Sequence, residues 1–159
     1  LVSSAERKEA QKYFKEAQDR LGQDDFEEAA RCFEEAVRLH PGYVAAHNDV
    51  GALYLSRGEA HRALVHLEIA SSIAPDNSQV RWNLIETYVA VGRMEDAVKT
   101  CQTLVDYYPE DQEALYWLAM ASTRLGSPDL TRKFAARVLT LNSEHVDAKA
   151  LLDSLSTPS

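Results

Sequence analysis

The chain has 159 residues, of which 45% are apolar and 26% charged. That is enough for one folded domain with a buried core, and too apolar for intrinsic disorder. Its net charge of −8 repels phosphate backbones and anionic lipid, so neither nucleic acid nor a membrane surface is an expected partner.

The opening residues LVSSAERKEA lack the apolar core of a secretion signal, and residues 1–8 read as an N-terminal extension. A helical pattern follows around Tyr13 and Ala17, with Gly22 near its end. The run DDFEE, Asp24 to Glu28, places carboxylates at the start of a second helix, where the dipole and free backbone N–H groups favour them. The spacing of a calcium-binding EF-hand loop is absent. Next comes VAAHNDVGALYLSR, 44–57, a helix with Val50, Gly51 and Tyr54 on one face. Gly58 supplies the left-handed residue that closes it. A second helix over 60–73 carries Ala63, Leu67 and Ala70, and Pro75 stops it because proline has no N–H to give. Asp76 or Asn77 then caps the next helix. The same signals return with Leu84, Tyr88, Gly92, Ala97 and Pro109, and more loosely with Leu118, Ala119, Gly126 and Thr131. The apolar run ALYWLAMA, 114–121, is too short to cross a bilayer. In EHVDAKALLDSLSTPS, Ala148, Leu151, Leu152 and Leu155 keep helical spacing. This reads as a capping helix over 146–156, one face on the last hairpin and Asp147, Lys149 and Asp153 in water, with a tail at 157–159.

These signals share one period. Pro41, Pro75 and Pro109 stand 34 residues apart, as do Gly58, Gly92 and Gly126, and Ala29, Ala63 and Ala97. Several positions keeping one period mark a stacked array of antiparallel helix hairpins. Gly51 and Ala63 lie where the two helices of a hairpin cross, and only small residues there let the axes approach closely. The first hairpin departs from the period. Gly22 precedes Pro41 by 19 residues where the others precede their proline by 17, so its turn is expected to be two residues longer or its first helix to end early.

No constellation for catalysis or metal binding is present, and no cofactor is expected. His61 and His66 are five apart, which does not put both on one helix face. His40 precedes Pro41 at a helix end, where a cation suits the dipole. Cys32 and Cys101 form no CxxC pair and read as small core residues, which suits a reducing, cytoplasmic location. Arg132, Lys133 and Arg137 make the fourth unit basic, and read as a solvated face.

The residues quoted resemble the tetratricopeptide repeat family, whose pattern runs Leu-Gly, Tyr, Gly, Ala, aromatic, Ala and Pro. Gly51, Tyr54, Gly58, Ala63, Leu67, Ala70 and Pro75 follow it in order, and Tyr13, Ala17, Phe26, Ala29, Phe33, Ala36 and Pro41 nearly so. The resemblance implies an all-α fold: a right-handed superhelix, or α-solenoid, of four helix-turn-helix units over 9–145, at about 9–43, 44–77, 78–111 and 112–145, plus the capping helix. It also implies that the first helices of successive hairpins line a concave groove. The partner-binding positions would then be Asn48 and Asp49, with Trp82, Asn83 and Glu86, and Tyr116, Trp117 and Met120. Some family members clamp the terminal carboxylate of chaperone peptides with Lys, Asn and Arg. The matching places here hold Phe14, Gln18, Asp49, Gln79 and Asn83, with no cation, so that ligand is disfavoured.

The expected function is therefore a non-enzymatic scaffold that holds a peptide or helix of a protein partner in its groove. The alternatives are a targeting or regulatory domain of a larger enzyme, such as a glycosyltransferase, and a self-associating assembly scaffold.

Overall fold

The computed structural model of the chain describes residues 1–155. The last residue of the expected capping helix, at 156, and the tail at 157–159 lie outside the described residues. Among those described there are nine α-helices and no strand. They are α1 (Ser4–Leu21), α2 (Phe26–Leu39), α3 (Val44–Ser56), α4 (Ala60–Ile73), α5 (Ser78–Ala90), α6 (Met94–Tyr107), α7 (Gln112–Arg124), α8 (Pro128–Leu141) and α9 (Val146–Ser154). The all-α architecture of repeated helix-turn-helix hairpins is thus present.

The helices fall into two compact units, Leu1–Gly92 and a second starting at Arg93. In the first, α1 pairs with α2 and α3 with α4, α2 packs on α3, and α5 packs on α4 and reaches α3. In the second, α6 packs on α7, α7 pairs with α8, and α9 lies on α8 and α7.

Helix starts follow local chemistry. Ser3 and Glu6 form a capping box at α1, each side chain bonded to the other's backbone N–H, at 3.2 and 2.7 Å. Asp25, Asn77 and Asp111 cap α2, α5 and α7 by accepting from the N–H three residues on. His145 caps α9, its Nδ1 accepting from Ala148 N at 3.2 Å.

The first turn departs from the others in an unexpected way. Gly58, Gly92 and Gly126 hold the left-handed backbone conformation in theirs, with φ of 77°, 79° and 68°. One period before Gly58 stands Asp24, and it takes that conformation itself, with φ 58°, while Gly22 keeps a right-handed φ of −65°. So α2 starts in register with α4, α1 ends early, and a side-chain-bearing residue sits where the repeat wants glycine. A left-handed L-residue costs about 1–2 kcal/mol, somewhat less for aspartate. Asp24→Gly is therefore expected to raise the melting midpoint, by up to about 1 kcal/mol of stability. An unchanged or lowered midpoint would show that the backbone there is not strained.

Small residues set the packing. Ala17, Ala29 and Ala63 are fully buried, and Gly51 is buried on α3. Gly51 meets Leu67 of α4: a Cβ added to it would lie 2.6 Å from Leu67 Cγ and 2.9 Å from Cδ2. Both cysteines are free and fully buried, as expected of small core residues.

Polar groups join successive hairpins at repeating places. Tyr54 donates its hydroxyl to Glu34 Oε1 and Tyr88 donates to Glu68 Oε1, both at 2.8 Å. Burial first, then the Glu34 carboxylate, pushes the Tyr54 phenol up to about 12. The carbonyl of each inter-hairpin proline is also taken up. His47 Nε2 meets Pro41 O at 2.9 Å, Arg81 donates to Pro75 O, and Arg137 donates to Pro109 O at 2.8 Å.

One of these groups is part of a longer relay. His47 Nδ1 lies 3.1 Å from His66 Nδ1, and His66 Nε2 lies 3.3 Å from Glu34 Oε1. Because a carbonyl oxygen only accepts, His47 must carry its proton on Nε2 and turn a bare Nδ1 to His66. His66 then donates from Nδ1. The three residues come from α3, α4 and α2, so the relay fastens the first two hairpins together.

Candidate functional site

The face built from α1, α3 and α5 belongs to the first unit. Asn48 and Asp49 stand on α3, and Trp82, Asn83 and Glu86 on α5. Asn48, Asp49, Trp82 and Asn83 are half-buried and Glu86 is exposed.

These side chains form a row with a direction. Gln79 Nε2 donates to Asn83 Oδ1 at 3.3 Å, Asn83 Nδ2 donates to Asn48 Oδ1 at 2.9 Å, and Asn48 Nδ2 donates to Asp49 Oδ1 at 3.2 Å. Gln18, from α1, also directs its side-chain amide to the Asp49 carboxylate. A carboxylate can only accept, so it fixes which way Asn48 points, and Asn48 in turn fixes Asn83. The row spans the first helices of three successive hairpin positions. Each asparagine keeps a second N–H and further lone pairs beyond those used in the row.

Asp49 is the one charge in it. Burial pushes its carboxyl above the ordinary value, and the bonds from Asn48 and Gln18 only partly offset this. An aromatic corner lies in the same unit. Phe14 lies 5.0 Å from Tyr43 and 5.6 Å from Phe33, ring centre to centre, and Tyr13, Phe14 and Tyr43 pack on Ala36, Val37 and Ala46. Tyr43 feels the carboxylate as well as its own burial, and both push its phenol upward.

A raised folded-state value means that the folded chain holds this proton more tightly than the unfolded one. That contribution to stability is complete below the unfolded value and is lost as pH rises through the folded one. At pH 7 the ionised Asp49 therefore costs stability. Asp49→Asn is expected to raise stability at pH 7 by on the order of 1 kcal/mol or less, since the site is part-solvated. At pH 3 the gain should vanish. Urea titrations at the two pH values check this, and a loss at pH 7 would show that the carboxylate is structurally needed.

The other expected residues lie on α7 in the second unit. Tyr116 meets the tilted ring of His145, the residue that caps α9, with ring centres 4.9 Å apart. Trp117 is half-buried and Met120 is 37% exposed. Further along, Thr123 Oγ1 bonds Thr131 Oγ1 of α8 at 3.1 Å.

Sequence reasoning places Asn48 and Asn83 at matching levels, but not their bond to each other. Gln79 and Gln18 enter it only as places where a carboxylate clamp is missing. Their signal is their amide chemistry at inward repeat positions next to an acid.

Two models described as tetratricopeptide repeat match the chain, over residues 14–78 and 54–123. Superkiller protein 3 of Schizosaccharomyces pombe is 25% identical over 100 residues, 63% of this chain and 7% of that protein. The CTR9 homolog of Arabidopsis thaliana is 25% identical over 138 residues, 86% of this chain and 13% of that protein. The chain thus spans a small part of the length of these relatives. Among solved structures, a tetratricopeptide repeat protein of Parabacteroides merdae superposes with a TM-score of 0.83 at 22% identity, covering 94% of this chain and 60% of that one. YrrB, described as a TPR protein with an unusual peptide-binding site, gives a TM-score of 0.76 at 20% identity over 90% of this chain and 74% of its own.

Proposed function

Because the chain belongs to the tetratricopeptide repeat family, a family of protein-interaction scaffolds, we propose that it is a non-enzymatic scaffold that holds a peptide or helix of a protein partner against the first helices of its hairpins. In the first unit the contact residues are Asn48, Asp49, Trp82, Asn83 and Glu86; in the second they are Tyr116, Trp117 and Met120. The observation that carries this reading is the side-chain row on α1, α3 and α5. It is half-exposed, it is polar, and its amides still have donors and acceptors to offer. A peptide backbone presents the matching set. Beside the row, Trp82 offers the kind of aromatic surface that anchors partners. The peptide-binding character of YrrB, a structural neighbour, supports the same reading. A partner's terminal carboxylate fits poorly, since Asp49 would face it.

The test is capture of a partner from lysate by the immobilised chain, with Trp82→Ala and Asn83→Ala compared with the unaltered protein. Capture should fall about tenfold or more for Trp82→Ala, while the circular dichroism of both variants stays that of the parent. Undiminished capture, or a loss of helicity that accounts for the loss of capture, would overturn the reading.

A further inference from the structure

Eight carboxylates among the described residues are half-buried. Six of them meet an arginine or histidine within 4 Å. A seventh, Asp111, caps α7. Asp49 alone does neither. Its neighbours are carboxamides, and no cation among the described residues acts on it. A carboxylate taken part-way out of water without a counter-ion is an unfavourable arrangement, and the fold bears it on an open face rather than in the core. Asp49 is also the end to which the hydrogen-bond row runs: every donor from Gln79 onward points toward it. Donated bonds hold the carboxylate in place and leave lone pairs on it for a further donor.

We infer that Asp49 is the seat for a cationic side chain, a lysine or arginine carried by an extended partner segment whose backbone lies along the carboxamides of Asn48 and Asn83. This rests on the partner-binding reading of the same face and adds the chemistry of the partner. Glu86, exposed on α5, places a second negative charge on that face. The chain's net charge of −8 draws basic segments toward it from a distance. A guanidinium fits a part-desolvated carboxylate best, because its forked N–H groups match the two oxygens.

The experiment uses the whole chain and short end-capped peptides of alanine and serine carrying one central arginine, citrulline or glutamate. Binding is followed by the side-chain NH2 resonances of Asn48 and Asn83 in nitrogen-15 spectra. The arginine peptide should shift them saturably and bind about tenfold more tightly than the citrulline peptide, which has the same shape without charge. The glutamate peptide should bind least. In Asp49→Asn, which removes the charge and keeps one side-chain oxygen to accept from Asn48, arginine and citrulline should become equal. Arginine and citrulline peptides that bind the unaltered chain equally would overturn the cation seat and leave the backbone-binding reading standing. Preference for arginine surviving in Asp49→Asn would also overturn the seat. If no peptide moves either asparagine, both readings fall.

Discussion

Gly51→Leu should unfold the first unit at room temperature, or leave it without a cooperative melting transition. The first added carbon alone would lie 2.6 Å from Leu67 Cγ, well inside contact distance. Leu67 is fully buried and cannot swing into solvent. The only relief is separation of α3 from α4, which exposes Val50, Leu53 and Tyr54. Gly51→Ala should already cost about 1–3 kcal/mol by overpacking. Leucine adds three more carbons to the same contact. Thermal melts followed by circular dichroism check both, and a coupled pair isolates the cause. In Gly51→Ala with Leu67→Ala, the joint loss should be smaller than the sum of the single losses, because removing the leucine side chain makes the room that the new methyl group on α3 needs. Strict additivity would place the strain elsewhere.

The second large effect concerns His47. Burial holds its imidazole below the ordinary value of 6.5, with the nearby His66 acting the same way and the Pro41 carbonyl and Glu34 opposing. A lowered folded-state value means that the unfolded chain takes up the proton first. The stability tied to neutral His47 is complete above about 6.5 and is lost as pH falls through the folded value. The chemistry agrees: a proton on Nδ1 of His47 would point at the N–H of His66, 3.1 Å away. His47→Ala should cost about 2–4 kcal/mol at pH 7.5, because it leaves the Pro41 carbonyl and His66 without their partner and opens a cavity. Between pH 7.5 and 5.5 the parent should lose stability faster than the variant. Parallel curves across that range would show that His47 does not couple folding to pH.

The period, the helix boundaries and the identity of the core were open to reading because each rests on one residue type at one place. Pro41, Pro75 and Pro109 stop helices, Gly58, Gly92 and Gly126 take the left-handed conformation, and Ala63 and Leu67 are buried. What stayed hidden depends on pairs of residues in different helices. A search for histidines along one helix weighs His61 with His66 and passes over His47, whose ring meets His66 from the facing helix, 19 residues away. Asp24 was hidden for another reason: Gly22 stood close by and looked like the turn residue, while the backbone placed the left-handed residue two positions later. The row on α1, α3 and α5 needed the bond between Asn48 and Asn83, 35 residues apart, to be recognised as one object.

That row has a further consequence. Its amide dipoles run head to tail, and no single member can rotate end over end without setting oxygen against oxygen or nitrogen against nitrogen at its neighbour. The carboxylate at one terminus therefore sets the handedness of the whole line, and the line is not the same read forwards and backwards.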